Sequence, residues 1–168
     1  MVLSKLGRNA ACPGCGLLLP ACGGPTHAYV GASAACWELY GKLNAGRDTR
    51  EEGTRQRRLV ADAYAAQHPG AADRRALQSV AVHLMGLCML LEREGENRRP
   101  VPVLGRLPAR RTLDLHWLDP PAPNGRLTIA DIAASGPDHA SSVEAWAKDV
   151  WRAWAPHHAT VRTWLDSA

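Results

Sequence analysis

Cys12-Pro13-Gly14-Cys15-Gly16 sets two thiols either side of a Gly-bearing turn, a spacing at which both sulfurs can face one metal ion. Eleven residues separate Cys15 from His27, and eight more separate His27 from Cys36. Thiolate and imidazole are the ligands zinc prefers, in a tetrahedron. Cys12, Cys15, His27 and Cys36 therefore form the expected zinc set, with Cys22 able to stand in for His27 or Cys36. Four protein ligands leave no coordination position for water or substrate, so such a site is structural. A three-ligand version would be open and could activate water.

A second group lies in the body of the chain. Asp62, His68, His83 and His158 are the candidate catalytic residues, able to line a pocket if helix faces bring them together. A metal-bound water or a general base acting in hydrolysis or group transfer is the chemistry such a pocket would support. The competing reading is a non-enzymatic binding or regulatory module. There, His83 is a hydrogen-bonded core histidine, His68 ends a helix, and His157-His158 sit partly at the surface. His116 and His139 fall in expected loops and are given no role.

The elements that must position these groups follow from periodicity and punctuation. Gly14, Gly16, Gly23, Gly24, Pro13, Pro20 and Pro25 break up the start of the chain, so residues 1–32 read as a zinc knuckle. Residues 33–168 read as one mainly α unit, a bundle of four or five helices. The first helix starts near Ser33 and carries Trp37, Tyr40 and Leu43. The second opens on an Asp48/Glu51 capping box and stops at His68-Pro69-Gly70. The third carries the apolar stripe Leu77, Val80, Leu84, Cys88, Leu91 and is apolar nearly all round, which predicts a central place.

Residues 95–125 read as loop, with a short strand around Leu113, Leu115 and Trp117. Thr128/Asp131 and Ser141/Glu144 cap two further helices. Pro156 should kink or restart the last one just before His157-His158. Trp146, Trp151 and Trp154 are expected in the core, with Trp37 sealing the knuckle onto the bundle.

The 168 residues are 46% hydrophobic, enough for a globular core. Net charge is +4, and nearly all the positive charge is Arg. Arg98, Arg99, Arg106, Arg110 and Arg111 cluster in one expected loop, and Arg50, Arg55, Arg57 and Arg58 near a helix start. No aromatic-laced basic stripe or recognition motif accompanies them, which speaks against nucleic acid; an unknown small molecule or protein is the expected partner. The uncharged run from Ala76 to Leu91 falls short of the roughly 20 residues a membrane span needs. Met1 to Arg8 has no apolar signal region, and the odd cysteine count argues against a disulfide framework. A reduced, cytoplasmic metalloprotein is the expectation.

Cys12-Pro-Gly-Cys15-Gly, Gly24-Pro-Thr-His27-Ala-Tyr29, Cys36-Trp37, Asp62-Ala-Tyr64-Ala-Ala-Gln67-His68-Pro69, Ser79-Val-Ala-Val-His83-Leu84 and Trp154-Ala-Pro-His157-His158 together resemble a bacterial family of uncharacterised proteins, domain of unknown function 5946. The likeness runs over roughly residues 10–166 and implies no activity. Cys22 is an addition to that pattern, which weakens its claim as a ligand. The arrangement of histidines is also similar, by analogy of architecture alone, to DinB-like metal-dependent thiol transferases. Those have two histidines four apart on the last helix, where His157 and His158 here are adjacent.

Overall fold

The computed structural model describes residues 8–45, 52–93, 113–136 and 139–168. Strands β1 (Asn9–Ala11) and β2 (Leu18–Pro20) pair antiparallel, with Ala10 opposite Leu19. Helices α1 (Ala34–Ala45), α2 (Glu52–Gln67), α3 (Arg74–Glu92), α4 (Ile129–Ala134), α5 (His139–Ala153) and α6 (His158–Ser167) follow. The protein is mainly helical, as its periodicity predicts, with a small hairpin at the front.

Helix α2 packs against both α3 and α5, and α3 also meets α6. The core is built where they touch. Leu59, Val60, Ala63 and Tyr64 of α2 are buried with Leu84, Leu87 and Cys88 of α3 and with Trp146 and Val150 of α5. Helix α3 thus holds the central place its apolar girth demands. Helix α2 shares that place although its first half is rich in Arg, because its last turns, Asp62 to His68, are buried on every side.

Start signals explain most boundaries. Ser33 Oγ accepts from Cys36 N at 3.3 Å and opens α1. Asp73 accepts from Arg75 N and Ala76 N and opens α3. Thr128 and Asp131 form the expected capping box of α4. Helix α5 begins at His139, two residues before the expected Ser141 cap. At Pro156 the helix breaks into a 3-10 turn, Ala155–His157, and restarts as α6. That break, with the short α4, brings the helices among the described residues to six instead of four or five. The Asp48/Glu51 capping box and the Arg98–Arg111 cluster lie outside the described residues.

Leu113, Leu115 and Trp117 form no strand. Leu115 N donates to Leu113 O within a tight turn, and the three side chains pack on the core instead of pairing backbone. The Arg residues described near the start of α2 are used internally. Arg55 pairs with Glu144 of α5 at 2.6 Å, Arg57 bonds Gly53 O, and Arg58 meets Asp62. Trp146 and Trp154 are fully buried, and Trp151 nearly so.

Candidate metal centre

The hairpin loop carries the first two cysteines. Cys12 N donates to Leu17 O at 2.9 Å and Gly16 N to Cys12 O at 2.8 Å, closing the turn around Cys12 and Cys15. Gly16 adopts φ +75°, which glycine takes without the Cβ penalty. Ser33 joins the loop to α1: its N–H donates to Cys12 Sγ at 3.4 Å while its hydroxyl caps the helix turn that carries Cys36.

The fourth member comes from the end of α2. Cys12, Cys15, Cys36 and His68 offer donor atoms that all lie within 4.8 Å of one another. Cys15 Sγ and Cys36 Sγ are 3.9 Å apart, and Cys36 Sγ is 3.4 Å from His68 Nε2. A tetrahedral zinc with bonds of about 2.3 Å to sulfur and about 2.0–2.1 Å to nitrogen needs separations of roughly 3.8 and 3.5 Å. The two separations involving Cys36 match those values, and the remaining donor pairs lie within 4.8 Å.

The supporting contacts aim these donors inward. His68 Nδ1 is 2.7 Å from Tyr64 O. A carbonyl can only accept, so Nδ1 carries a proton and Nε2 is the nitrogen turned to the thiols, free to ligate a metal once it is deprotonated. Tyr64 O–H donates to Cys36 Sγ at 3.6 Å, and the Tyr64 ring stacks on His68 at 4.1 Å. Gly31 N donates to His68 O at 2.9 Å, and Val30 bridges Pro69, binding the knuckle to the end of α2. A Cβ on Gly14 would come within 2.6 Å of His68 Cδ2 and 2.7 Å of its Cα. Only glycine lets the CxxC turn lie this close to the imidazole.

The electrostatics are those of donors crowded together. Hydrogen bonds from Cys15 and then Cys36 hold the Cys12 thiol far below its ordinary range. Cys36 is driven up by Cys12 and Cys15. Burial disfavours protonation of His68, but bonds to Cys12 and Cys15 overcome it and push its pKa up to about 9. Burial and then Cys36 raise the Tyr64 hydroxyl. A divalent cation would take the place of the protons these donors share, releasing them as it binds.

His27 is therefore not the fourth member of the cluster. Its ring stands edge-on to Tyr29 at 4.3 Å and lies 5.1 Å from Trp37, held on an aromatic shelf, and its Nδ1 is buried with no hydrogen bond among the described residues. Cys22 is exposed and also outside the cluster. His68, expected in a pocket, takes the place instead. It lies 32 positions from Cys36, so ligand spacing could not find it. A histidine at an expected helix end, just before Pro69-Gly70, was its only local sequence signal.

The structure distributes the four expected pocket residues over three settings. His68 belongs to the cysteine cluster. His83 Nδ1 meets Asp62 Oδ1 at 2.7 Å. His158 stacks on Trp151 at 3.8 Å and bonds Trp151 O, with Glu92 and Arg162 beside it. Sequence reasoning gave Asn124 no part in positioning the site, and Gln67 none beside the knuckle. Gln67 Nε2 donates to Asn124 O and Leu127 O, both at 2.8 Å, its Oε1 accepts from Trp146, and Asn124 Nδ2 donates to Ala66 O. These bonds pin the Pro120–Pro123 run beside the knuckle. A cleft of about 410 Å³ opens there, lined by Cys12, Cys15, Pro121, Pro123 and Asn124 among others.

No helix among the described residues is long and apolar enough to cross a membrane. No curated protein and no solved structure matches the chain. Residues 10–155 match the family of unknown function DUF5946, and the chain belongs to that family.

Proposed function

We propose that Cys12, Cys15, Cys36 and His68 bind one zinc ion in a closed, structural site, and that the protein is a zinc-stabilised helical domain. The observation that carries this is the fit of four donors from three separate segments, at 3.9 Å between sulfurs and 3.4 Å from sulfur to nitrogen, to one tetrahedral ion. Three thiolates and an imidazole complete zinc's preferred coordination, so the ion supplies folding free energy and activates no water. The ion would tie the hairpin and the first turn of α1 to the end of α2, adding to the Gly31–His68 bond and the Val30–Pro69 bridge already there.

Metal analysis of protein purified under reducing, metal-replete conditions should find about one zinc per chain. X-ray absorption should show three sulfurs at about 2.3 Å and one nitrogen at about 2.0–2.1 Å. Protein that carries no metal under those conditions sinks the proposal. A shell of oxygens would as well.

The cleft against the knuckle favours a second reading, in which the zinc site shapes a binding surface for a small molecule or a protein segment. Cys15, the least buried of the four, faces that reading as a contact residue as well as a ligand. Substituting Pro121 or Pro123 should then weaken binding of the partner without releasing zinc.

A further inference from the structure

Helices α2 and α3 hold a second constellation, independent of any metal. The Asp62 side chain is 1% exposed. Its Oδ1 is 2.7 Å from His83 Nδ1, and its Oδ2 accepts from Arg58 Nε at 3.0 Å. It reaches α3 where a side chain is missing: a Cβ on Gly86 would strike the carboxylate. Gly86 lies one helical turn beyond His83, so the gap admits Asp62 beneath the imidazole.

A buried carboxylate is costly unless its charge is met, and meeting it is one task of Arg58 and His83. That task would be served by burying all three. Instead the His83 side chain is 27% exposed and that of Arg58 39%. Neither makes any further hydrogen bond, ion pair or ring contact among the described residues. His83 Nε2 is unpaired without being buried, and so are the terminal nitrogens of Arg58. By contrast, His157 and His158 use Nε2 on backbone carbonyls, and His68 uses it on Cys36. With Nδ1–H directed to Asp62, the neutral His83 ring presents a lone pair at Nε2, and the guanidinium on the other oxygen of the same carboxylate has unused donors.

We propose that His83, positioned by Asp62 and flanked by Arg58, is a general-base site for a small anionic substrate carrying a carboxylate or phosphate. Arg58 holds the anion through its terminal N–H groups. Nε2 accepts the proton of an adjacent hydroxyl or water as that O–H bond breaks. The oxygen keeps the electron pair and attacks the substrate's electrophilic centre. The bond from that centre to the leaving oxygen breaks, the leaving oxygen takes the proton from Nε2, and the ring ends neutral with the substrate and the hydroxyl or water converted to two products. Asp62 acts through His83 and is a positioning residue.

The test is acylation of histidines by diethyl pyrocarbonate in the zinc-loaded, full-length protein, read residue by residue by mass spectrometry. It is run in chloride and in inorganic phosphate at equal ionic strength. His83 should be modified faster than His157 and His158, and phosphate should slow its modification severalfold. Arg58→Gln should abolish the protection while His83 stays modifiable, and Arg58→Lys should restore part of it. Asp62→Asn should slow modification by at least about tenfold, because the reactive tautomer is no longer held. If that variant does not fold, the phosphate and Arg58 results still decide. His83 reacting no faster than His157, or phosphate protecting wild-type and Arg58→Gln equally, overturns the proposal. Because zinc content is measured on the same samples, failure here is separable from failure of the metal site.

Discussion

Helix α2 and its C-terminal end carry two polar centres, Asp62 and His68, nearly two turns apart, and they are built in opposite ways. At its end, His68 joins three cysteines from the hairpin and α1, and every donor points inward. Further back, Asp62 meets His83 of α3 and Arg58 of its own helix, and the two partners keep nitrogen atoms on the solvent side. The first gathers segments distant in sequence, so a metal bound there would act as a clasp. The second joins helices that packing already holds, so the fold has little need of it. Proximity on one helix says nothing about shared purpose; which way the spare lone pairs face does.

That contrast predicts a ranking of substitutions. Cys36→Ser should have the largest effect, because it removes a buried ligand and with it the tie between knuckle and bundle. Zinc is expected to be lost and stability to fall by on the order of 5 kcal/mol, a fraction of the ~10–16 kcal/mol that structural zinc supplies in peptides. For a chain of this size, Tm should drop roughly 10–20 °C. Calorimetry with metal analysis checks both. Gly14→Ala comes next. Its methyl would press on the His68 ring, displacing the CxxC turn at a cost of about 1–3 kcal/mol, and zinc affinity should fall even though every ligand remains.

At the other centre, His83→Gln keeps a donor for Asp62 and should cost only about 1 kcal/mol, with zinc content unchanged. A variant that lost its zinc would erase the distinction between the two centres. A further effect of similar size concerns neither centre. Arg162, against the opposing cost of burial and with help from Trp151, holds the Glu92 carboxyl down at about 2, below its ordinary value of 4.5. A depressed carboxyl stabilises the fold above its unfolded pKa, and that contribution fades as pH falls through 4.5 towards 2. Glu92→Gln should therefore destabilise near neutrality by about 1 kcal/mol, after solvent screening. The gap to wild type should close in acid, as urea melts across that pH range would show.

Much of this was legible in the chain. The apolar girth of α3, the Thr128/Asp131 cap and the break at Pro156 are local signals, and each appears where the sequence places it. Cys12, Cys15 and Cys36 are recognisable for the same reason, since a metal knuckle is a short-range pattern. The seat of His68 beside the three cysteines was not legible, because it depends on how α2 docks, which no spacing rule encodes. His27 looked equivalent in one dimension, but its neighbours Tyr29 and Trp37 offered its ring a better seat. The Asp62–His83 pair lay between those extremes: the residue types pointed to it, while the fold separated it from His68 and His158. The strands of the hairpin, three residues each and without alternation, gave no signal at all.

The central claim is that the clasp closes on His68. The most direct measurement is zinc content per chain in His68→Gln and His27→Gln, purified side by side under reducing, metal-replete conditions. His27→Gln should retain about one zinc and His68→Gln should lose it. The opposite pattern, or equal retention by both, would contradict the account.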